Sequence, residues 1–405
     1  MILPAPLRLL AALSAVLLLA ACGGSDGRGG DRPQRAAPVL GGSADEPEAA
    51  EGLGFPAFAT KNTTRIGGAD PVVDAAGVAQ AVFPARSRET RPAAVTLVDR
   101  NDWRAAISAA QLMNRPLRAP ILFTDGDRFP PVTQAALDAL EPTGAKQAGG
   151  AQVLRVGNAP RPDGLKARDL AGADYAAQAR AIDRLHTAAT GGTPGRSVIV
   201  ADAGEPALAM PAAGYAAKSG TPVLWVDGEQ IPAETRAAIR DHGKPRIYLL
   251  GAESAIPKAV ATELGRLGRV QRITGRDPIA AAVQFATWPT RARAPLDPNF
   301  GWRVSDPGHG FVFASPERPA DAAAAAPLSA AGSYGPLLLV SKPGALDKVV
   351  EQYLLDVQPG YDKDPVRGVY NHGWLMGDES AISVDVQSRI DALLEIEPVD
   401  RSAAN

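Results

Sequence analysis

The sequence predicts an α/β protein built from three copies of one unit of about 100 residues. Two observations carry this prediction. Short motifs recur in one order and at nearly constant steps along the chain. Within a unit, short apolar runs alternate with segments typical of helices, which indicates a parallel sheet covered by helices on both faces.

The first motif is Arg-Ile-x-Gly-x-Asp, which occupies residues 65–70 and 272–277, with a weaker copy at 170–174. The glycines at its fourth position are separated by 172 − 68 = 104 and 275 − 172 = 103 residues. Two further motifs keep the same order, namely a proline with an apolar run and a Gly-x-Glu-Ser-Ala-Ile turn. They lie at 119–126, 221–228 and 335–340, and at 249–256 and 375–382. This order predicts three repeats, which we place at 61–164, 165–268 and 269–398.

The elements of the first repeat follow from its local sequence. Apolar runs at 95–98, 121–124 and 153–156 are short and continuous, which predicts strands buried on both faces of a parallel sheet. An Ala-rich helix is predicted over 103–114. A second helix is predicted to begin after two prolines, which a first turn tolerates, and to end at about Leu140. Right-handed crossovers then give a three-layer α/β sandwich.

Composition limits the possible partners. The 405 residues carry 42 Lys and Arg against 44 Asp and Glu, a formal net charge of −2. A nearly neutral chain lacks the basic surface that nucleic-acid binding requires, so nucleic acid is not an expected partner. The single cysteine, Cys22, excludes an intramolecular disulfide and a cysteine-based metal cluster.

The N-terminal segment has the layout of a lipoprotein signal peptide. Residues 1–21 contain an apolar run followed by small residues, which is typical of a secretory signal and too short for a spanning helix. Leu-Ala-Ala-Cys at 19–22 resembles the bacterial lipobox, so we predict that Cys22 is lipidated. An ordinary signal peptide with an incidental cysteine is the alternative. Residues 22–60 are predicted to be the lipidated cysteine and a flexible linker, because they are polar and rich in Gly and Pro.

A search for catalytic motifs predicts no enzyme. The four histidines, at 186, 242, 309 and 372, are far apart and show no metal-ligand spacing. The sequence contains neither a Gly-x-Ser-x-Gly elbow nor a phosphate-binding loop. We therefore expect no catalytic residue, no metal and no cofactor.

The Arg-Ile-x-Gly-x-Asp motif has a structural interpretation and a binding one. Its glycines are expected to allow a tight turn or close packing, and its aspartates to cap the helices that follow. Arg65 and Arg272 are harder to explain by packing, and the second repeat has Asp169 in this register. Because a planar guanidinium suits phosphate or carboxylate groups, both arginines are candidates for binding a polymer.

With these motifs, the repeats resemble the cell-wall-binding repeat of type 2, which occurs in three copies on secreted bacterial autolysins, adhesins and surface-layer proteins. The motif start, the helix at 321–328, the apolar triplet at 337–339 and the glycine turns carry the resemblance over about 61–396. The prolines that follow the motif aspartates depart from the family's Arg-Tyr. The resemblance implies Rossmann-like repeats around a pseudo-threefold axis and non-covalent attachment to an anionic wall polymer without catalysis.

The third repeat contains two loop-like insertions, within 288–310 and 356–373. Long loops in compact domains are commonly functional. Aromatic faces stack on sugar rings and guanidinium groups pair with anionic substituents. The polymer-binding candidates here are Trp288, Trp302, Arg303, Tyr361 and Tyr370. We expect the insertions to form one binding face; the alternative is that these aromatics hold the loops against the domain.

Together these observations predict a non-catalytic cell-wall-binding lipoprotein, lipid-anchored to the outer face of the cytoplasmic membrane. Its predicted partner is a cell-wall polysaccharide or a secondary anionic polymer. The alternative is a substrate-binding lipoprotein of a transporter, although three repeats argue against a ligand held between two lobes. A cell-wall hydrolase of the amidase type ranks after both.

Overall fold

The computed structural model describes residues 57–290, 292–331 and 335–399. Cys22, the signal peptide at 1–21 and most of the linker at 22–60 lie outside the described residues, so their roles stay predictions. Within the described ranges, no helix combines the length and the apolar character needed to cross a membrane.

The strands form three sheets with four parallel strands each, and one antiparallel strand, β1, extends the third sheet. In chain order the strands are β1 Ala57–Ala59, β2 Thr63–Ile66, β3 Val95–Asp99, β4 Ile121–Thr124, β5 Val153–Val156, β6 Ala167–Leu170, β7 Ser197–Asp202, β8 Val223–Val226, β9 Arg246–Leu250, β10 Arg269–Ile273, β11 Gly310–Ala314, β12 Leu337–Leu339, β13 Gly360–Tyr361, β14 His372–Met376 and β15 Glu397–Pro398. The strand orders are β4-β3-β5-β6, β8-β7-β9-β10 and β12-β11-β14-β2, and β13 pairs separately with β15. The predicted α/β class with parallel sheets is confirmed.

Helices cover the sheets. They are α1 Pro71–Val82, α2 Trp103–Ala109, α3 Pro131–Leu140, α4 Tyr175–Ala189, α5 Pro206–Ser219, α6 Ala233–Asp241, α7 Lys258–Leu264, α8 Pro278–Thr287, α9 Pro319–Ala324, α10 Ala326–Ala330, α11 Lys348–Asp356 and α12 Val384–Leu394. The strands predicted for the first repeat are confirmed as β3, β4 and β5. The helix predicted from residue 103 ends earlier as an α-helix and continues as the 3₁₀ turn Ala110–Met113. All residues of β4, β8 and β11 are buried, as strands covered on both faces must be.

One edge strand of each sheet comes from a different repeat than the other three strands. For the first and second sheets it comes from the repeat that follows in the sequence, and for the third sheet it comes from the first repeat. β6 pairs with β5, and β10 pairs with β9, in parallel register. The third sheet takes β2 as its edge strand, with Arg65 opposite Leu375. This pairing connects the first described strands to the last sheet, so the order of sheets closes on itself.

Three helices in equivalent positions, α2, α5 and α9, contact one another in every pairing. Their buried residues are mostly alanine, and such small side chains let helices approach closely. The helices around them also make cyclic contacts, with α4 on α2, α8 on α5 and α1 on α9. A pseudo-threefold axis produces this pattern of contacts.

The motif aspartates begin helices, as predicted. The carboxylates of Asp70, Asp174 and Asp277 accept hydrogen bonds from backbone N–H groups in the first turns of α1, α4 and α8, at 2.9, 2.8 and 2.7 Å. These caps satisfy donors that have no partner within the helix.

Close packing explains two of the three motif glycines. A Cβ atom at Gly172 or Gly275 would lie 2.4 or 2.3 Å from a backbone nitrogen of the helix that follows. At Gly68 the nearest atom would be 3.9 Å away, so the predicted packing restriction is wrong there.

Candidate functional site

Arg65 lies on β2, and 7% of the residue is exposed. Its guanidinium donates hydrogen bonds to the carbonyl oxygens of Gly377, Asp378 and Ile382 at 2.9, 2.8 and 2.6 Å. Its Nε donates to Oε1 of Gln387 at 3.1 Å. The three carbonyls belong to the turn after the neighbouring strand β14. Because the guanidinium is used within the protein, the predicted polymer contact of Arg65 is corrected to a structural role.

Arg272 makes the same contacts in the second sheet. Its guanidinium donates to three carbonyl oxygens of the turn after β9, at 2.7, 2.9 and 2.7 Å. In the first sheet, Asp169 stands in this register and accepts a hydrogen bond from Arg155 of the neighbouring strand at 2.5 Å. Arg155 in turn donates to the carbonyl of Ala159, in the turn after β5, at 2.8 Å. A guanidinium therefore holds the same turn in each sheet, and the polymer contact predicted for Arg272 is corrected likewise.

Phe300 and Trp302 of the first insertion pack against the second repeat. Trp288 and Trp302 are each 5% exposed. The Phe300 ring stacks on Tyr248 with centroids 3.5 Å apart, and Trp302 meets Tyr215 of α5 edge-on at 5.6 Å. The predicted sugar contact of the two tryptophans is therefore corrected, since their faces are covered by protein. The structure supports the alternative, in which these rings hold the loop against the domain.

The other candidates in the insertions are more accessible. Arg303 is exposed, and its backbone N–H donates to the carbonyl of Trp288 at 2.9 Å. Tyr361 is half-buried on β13. Tyr370 is 52% exposed, and its hydroxyl donates to the carbonyl of Pro365 at 2.7 Å. These three residues stay candidates for a surface contact.

The two insertions meet at their C-terminal ends. The backbone N–H groups of Gly308 and His309 donate to Oδ1 of Asn371 at 2.8 and 3.1 Å, and that of His372 donates to the carbonyl of His309 at 3.0 Å. Trp302 of the first insertion packs instead against α5. The insertions thus touch, but their aromatic rings lie in different surroundings rather than on one face.

A cavity of about 470 Å³ lies where the C-terminal ends of three elements meet, namely the 3₁₀ turn after α2, helix α5 and helix α10. We call it the basic cavity. Its lining residues are Met113, Asn114, Arg115, Arg118, Ala217, Lys218, Ala330 and Ala331. The lining residues carry three cations and no carboxylate. Among the described residues, no carboxylate forms an ion pair with Arg115 or Arg118.

A second cavity of about 490 Å³ lies between β14, β2, α1 and α10, and we call it the Trp374 cavity. Its lining residues are Thr64, Ala81, Val82, Leu328, Ala331, His372 and Trp374. Ala331 lines both cavities, so they adjoin. The His372 ring lies edge-on to Trp374 with centroids 4.7 Å apart, and its buried Nε2 atom has no hydrogen-bond partner among the described residues. Burial lowers the pKa of His372, which keeps the imidazole neutral at pH 7.

Neither cavity could be predicted from the sequence, because each is lined by residues from different repeats. One signal was present for the basic cavity. Arg118 stands two residues before a proline, at the position where the second repeat has Gly220.

Two buried carboxyl groups and one guanidinium connect the first and third repeats. The guanidinium of Arg318 pairs with Asp74 of α1 and, at 2.7 Å, with Asp321 of α9. Both aspartate side chains are fully buried. Burial and the neighbouring Asp321 carboxyl raise the pKa of Asp74 to about 9. Asp74 is therefore protonated at neutral pH, and burial raises the pKa of Asp321 as well.

Neither a third cavity nor the grouping of the acidic side chains indicates a ligand or metal site. A cavity of about 600 Å³ near α3 is lined by charges of both signs, of which Arg91 and Glu141 pair with each other. Across the described ranges, no three His, Cys, Asp or Glu side chains are grouped so that they could hold a metal ion.

The fold defines the class of the protein, an α/β protein whose parallel sheets close around three central helices. Residues 272–387 match the model of the family Cell wall binding domain 2 (CWB2). The resemblance drawn from the motifs is thereby confirmed for this segment.

Solved structures share the fold at low sequence identity. Cwp8 from Clostridium difficile matches 82% of this chain with a TM-score of 0.60 and 16% identity, over 52% of its own length. Cwp6 from Clostridium difficile matches 82% of this chain with a TM-score of 0.61 and 14% identity, over 48% of its own length. The N-acetylmuramoyl-L-alanine amidase LytC of Bacillus subtilis (strain 168) is 24% identical over 210 residues, 51% of this chain and 40% of LytC. The chain thus spans about half or less of the length of these proteins.

Proposed function

We propose that this protein binds non-covalently to an anionic or glycan polymer of the bacterial cell wall and has no catalytic role. The observation that carries the proposal is the match of residues 272–387 to Cell wall binding domain 2, within a body of three equivalent sheets. Cavities that adjoin between the repeats, one of them lined by cations, supply a surface for such a polymer.

The proposal includes attachment to the membrane. The lipobox-like sequence at 19–22 supports lipidation of Cys22, and the polar segment that follows it supports a flexible tether. The folded part would then lie outside the cytoplasmic membrane, joined to it by lipid and to the wall by the repeats. A single lipid anchor combined with a second contact gives more stable attachment than either does alone.

Amidase activity is a second candidate because of LytC. That similarity covers 40% of LytC, so it supports a shared region rather than the whole activity. The transporter alternative has no such support, because the body consists of three sheets and not of two lobes.

One experiment separates these candidates. The full chain, purified in mild detergent, is incubated with purified bacterial walls, and both the protein in the wall pellet and the wall fragments released into solution are measured. We expect retention in the pellet without release of fragments. Release of amidase products would replace the non-catalytic proposal, and recovery of all protein in the supernatant would overturn wall binding.

A further inference from the structure

We propose that the basic cavity and the Trp374 cavity together form one subsite for an acidic glycan, with a sugar ring on Trp374 and its anionic substituent at Arg115, Arg118 and Lys218. This inference rests on the proposed wall-binding function, and it adds a location and a ligand chemistry. The second sheet provides an internal comparison, because the equivalent position there is covered by a ring of the protein.

In the second sheet, the residue equivalent to Trp374 is Tyr248, and an aromatic ring of the first insertion covers it. Tyr248 lies three residues before the glycine turn after β9, as Trp374 lies three residues before the glycine turn after β14. Phe300 from the first insertion stacks on Tyr248 with centroids 3.5 Å apart and an interplanar angle of 2°. A flat ring therefore fits against this position of the sheet.

In the third sheet, smaller side chains surround the same position. Tyr215 of α5 corresponds to Leu328, since they lie nine residues after the prolines that begin α5 and α9, respectively. Trp288 corresponds to Ala81, since both lie ten residues after the proline that begins α8 or α1. These differences leave a cavity of about 490 Å³ beside Trp374. This volume lies within the range of roughly 300–1,000 Å³ in which small molecules are bound.

The Trp374 cavity also contains a polar group that a sugar would complement. The Nε2 atom of His372 is buried and has no hydrogen-bond partner among the described residues. Buried polar atoms are nearly always hydrogen-bonded in native proteins. A sugar hydroxyl can donate to or accept from this nitrogen while the ring stacks on the indole, which is how an amphipathic pyranose binds an aromatic side chain.

The cations of the adjoining cavity are held in place by the fold. The side-chain amide of Asn114 donates to the carbonyls of Ala217 and Lys218 at 3.3 and 2.7 Å, which fixes the loop of Arg115 and Arg118 against α5. Burial lowers the pKa of Arg118, and repulsion from the Arg115 guanidinium lowers this pKa further. An anion placed between them would relieve that repulsion.

The backbone at Arg118 is suited to glycine. Its φ is +46°, in the left-handed region that side chains with a Cβ rarely adopt. The equivalent residue of the second repeat is Gly220, with φ +73°. Glycine at residue 118 therefore removes the guanidinium without straining the backbone.

The two cavities adjoin, so a ligand that extends beyond one sugar can contact both. Ala331 lines each of them, and the Arg118 guanidinium lies 5.0 Å from the ring centroid of Phe83, the residue after Val82 of the Trp374 cavity. In a purely structural role, the cations would instead interact with the carbonyl groups that three helical ends present to the basic cavity. Substitution of a cation would change stability if its role is structural, and would change binding if it contacts a ligand.

The test uses the full chain in mild detergent and its co-sedimentation with walls that retain their secondary polymers. Arg118→Gly removes the cation and places glycine where φ is positive, so the fold should be kept. Ala81→Trp introduces an indole into the lining of the Trp374 cavity, at the position equivalent to Trp288. The matched control is Lys244→Gly, which removes an exposed cation at φ +62°.

We expect Arg118→Gly and Ala81→Trp each to weaken retention on walls by at least about tenfold, with unchanged or higher unfolding midpoints. Lys244→Gly should bind as the wild type does, and the effect of Arg118→Gly should vanish on walls stripped of acidic polymer. Wild-type retention by either cavity variant, or a lower midpoint with normal retention, would overturn the subsite and leave wall binding intact. If the wild type itself were not retained, the proposed function would fail.

Discussion

Replacing Phe300 by Ala tests whether the first insertion is a structural connection between repeats. Phe300 belongs to the third repeat in sequence, yet its ring packs on Tyr248 and Tyr215 of the second repeat. It is 4% exposed, and its centroid lies 3.5 and 5.0 Å from the two tyrosine rings. The substitution would remove the ring and leave a cavity beside β9.

The expected loss follows from these contacts. Truncation of a buried phenylalanine to alanine lowers the free energy of unfolding by roughly 3–5 kcal/mol. Aromatic pairs contribute about 0.5–1.5 kcal/mol beyond the area that they bury. We therefore expect Phe300→Ala to destabilise the protein by about 4 kcal/mol, and the double-mutant cycle with Tyr248→Leu to give a coupling free energy of about 1 kcal/mol.

Urea denaturation followed by tryptophan fluorescence measures both quantities. Val366→Ala is the control, because Val366 also lies in an insertion but is 81% exposed, and its substitution should change stability by less than about 0.5 kcal/mol. Retention on walls by the folded fraction of Phe300→Ala should match that of the wild type. A loss below about 1 kcal/mol would refute the view that this insertion is packed as core.

Three further predictions concern other parts of the chain. Because the folded-state pKa of Asp74 is raised to about 9, its contribution to stability should fall as the pH rises from about 4 to 9, and Asp74→Asn should flatten this dependence in urea titrations at several pH values. Arg65→Lys should destabilise by about 2–3 kcal/mol in the same assay, since an ammonium cannot serve three carbonyls and Gln387 at once, while Arg303→Lys should be nearly neutral. Cys22→Ala should move the protein from membranes to the soluble fraction, and unchanged membrane association would contradict lipidation.

The sequence was sufficient to predict the class of fold and the elements of the first repeat. Strands β3, β4 and β5 depend on short apolar runs, and α3 depends on a proline start, all of which are local signals. It could not show which sheet each motif strand joins. β2 pairs with β14 across more than three hundred residues, and no local pattern encodes that pairing.

The candidate site was predicted less well, because the same residue types serve packing and binding. Arg65 and Arg272 have the donors that a polymer would need, but those donors bind turn carbonyls. Trp302 is an aromatic residue in a long loop, yet its partner, Tyr215, lies in another repeat. The two cavities arise from differences between equivalent positions of the repeats, such as Leu328 in place of Tyr215. Such differences have an effect only in the folded chain, where residues of different repeats lie side by side.

The affinity of the full chain for native walls, compared with walls stripped of secondary polymer, tests the central claim most directly. Increasing amounts of protein are co-sedimented with a fixed amount of each wall preparation at low and at high salt. We predict saturable retention on native walls that falls as salt rises, because part of the contact is between cations and an anionic polymer, and a clear loss on the stripped walls. Retention that is absent, or that never saturates, would contradict a specific wall-binding function.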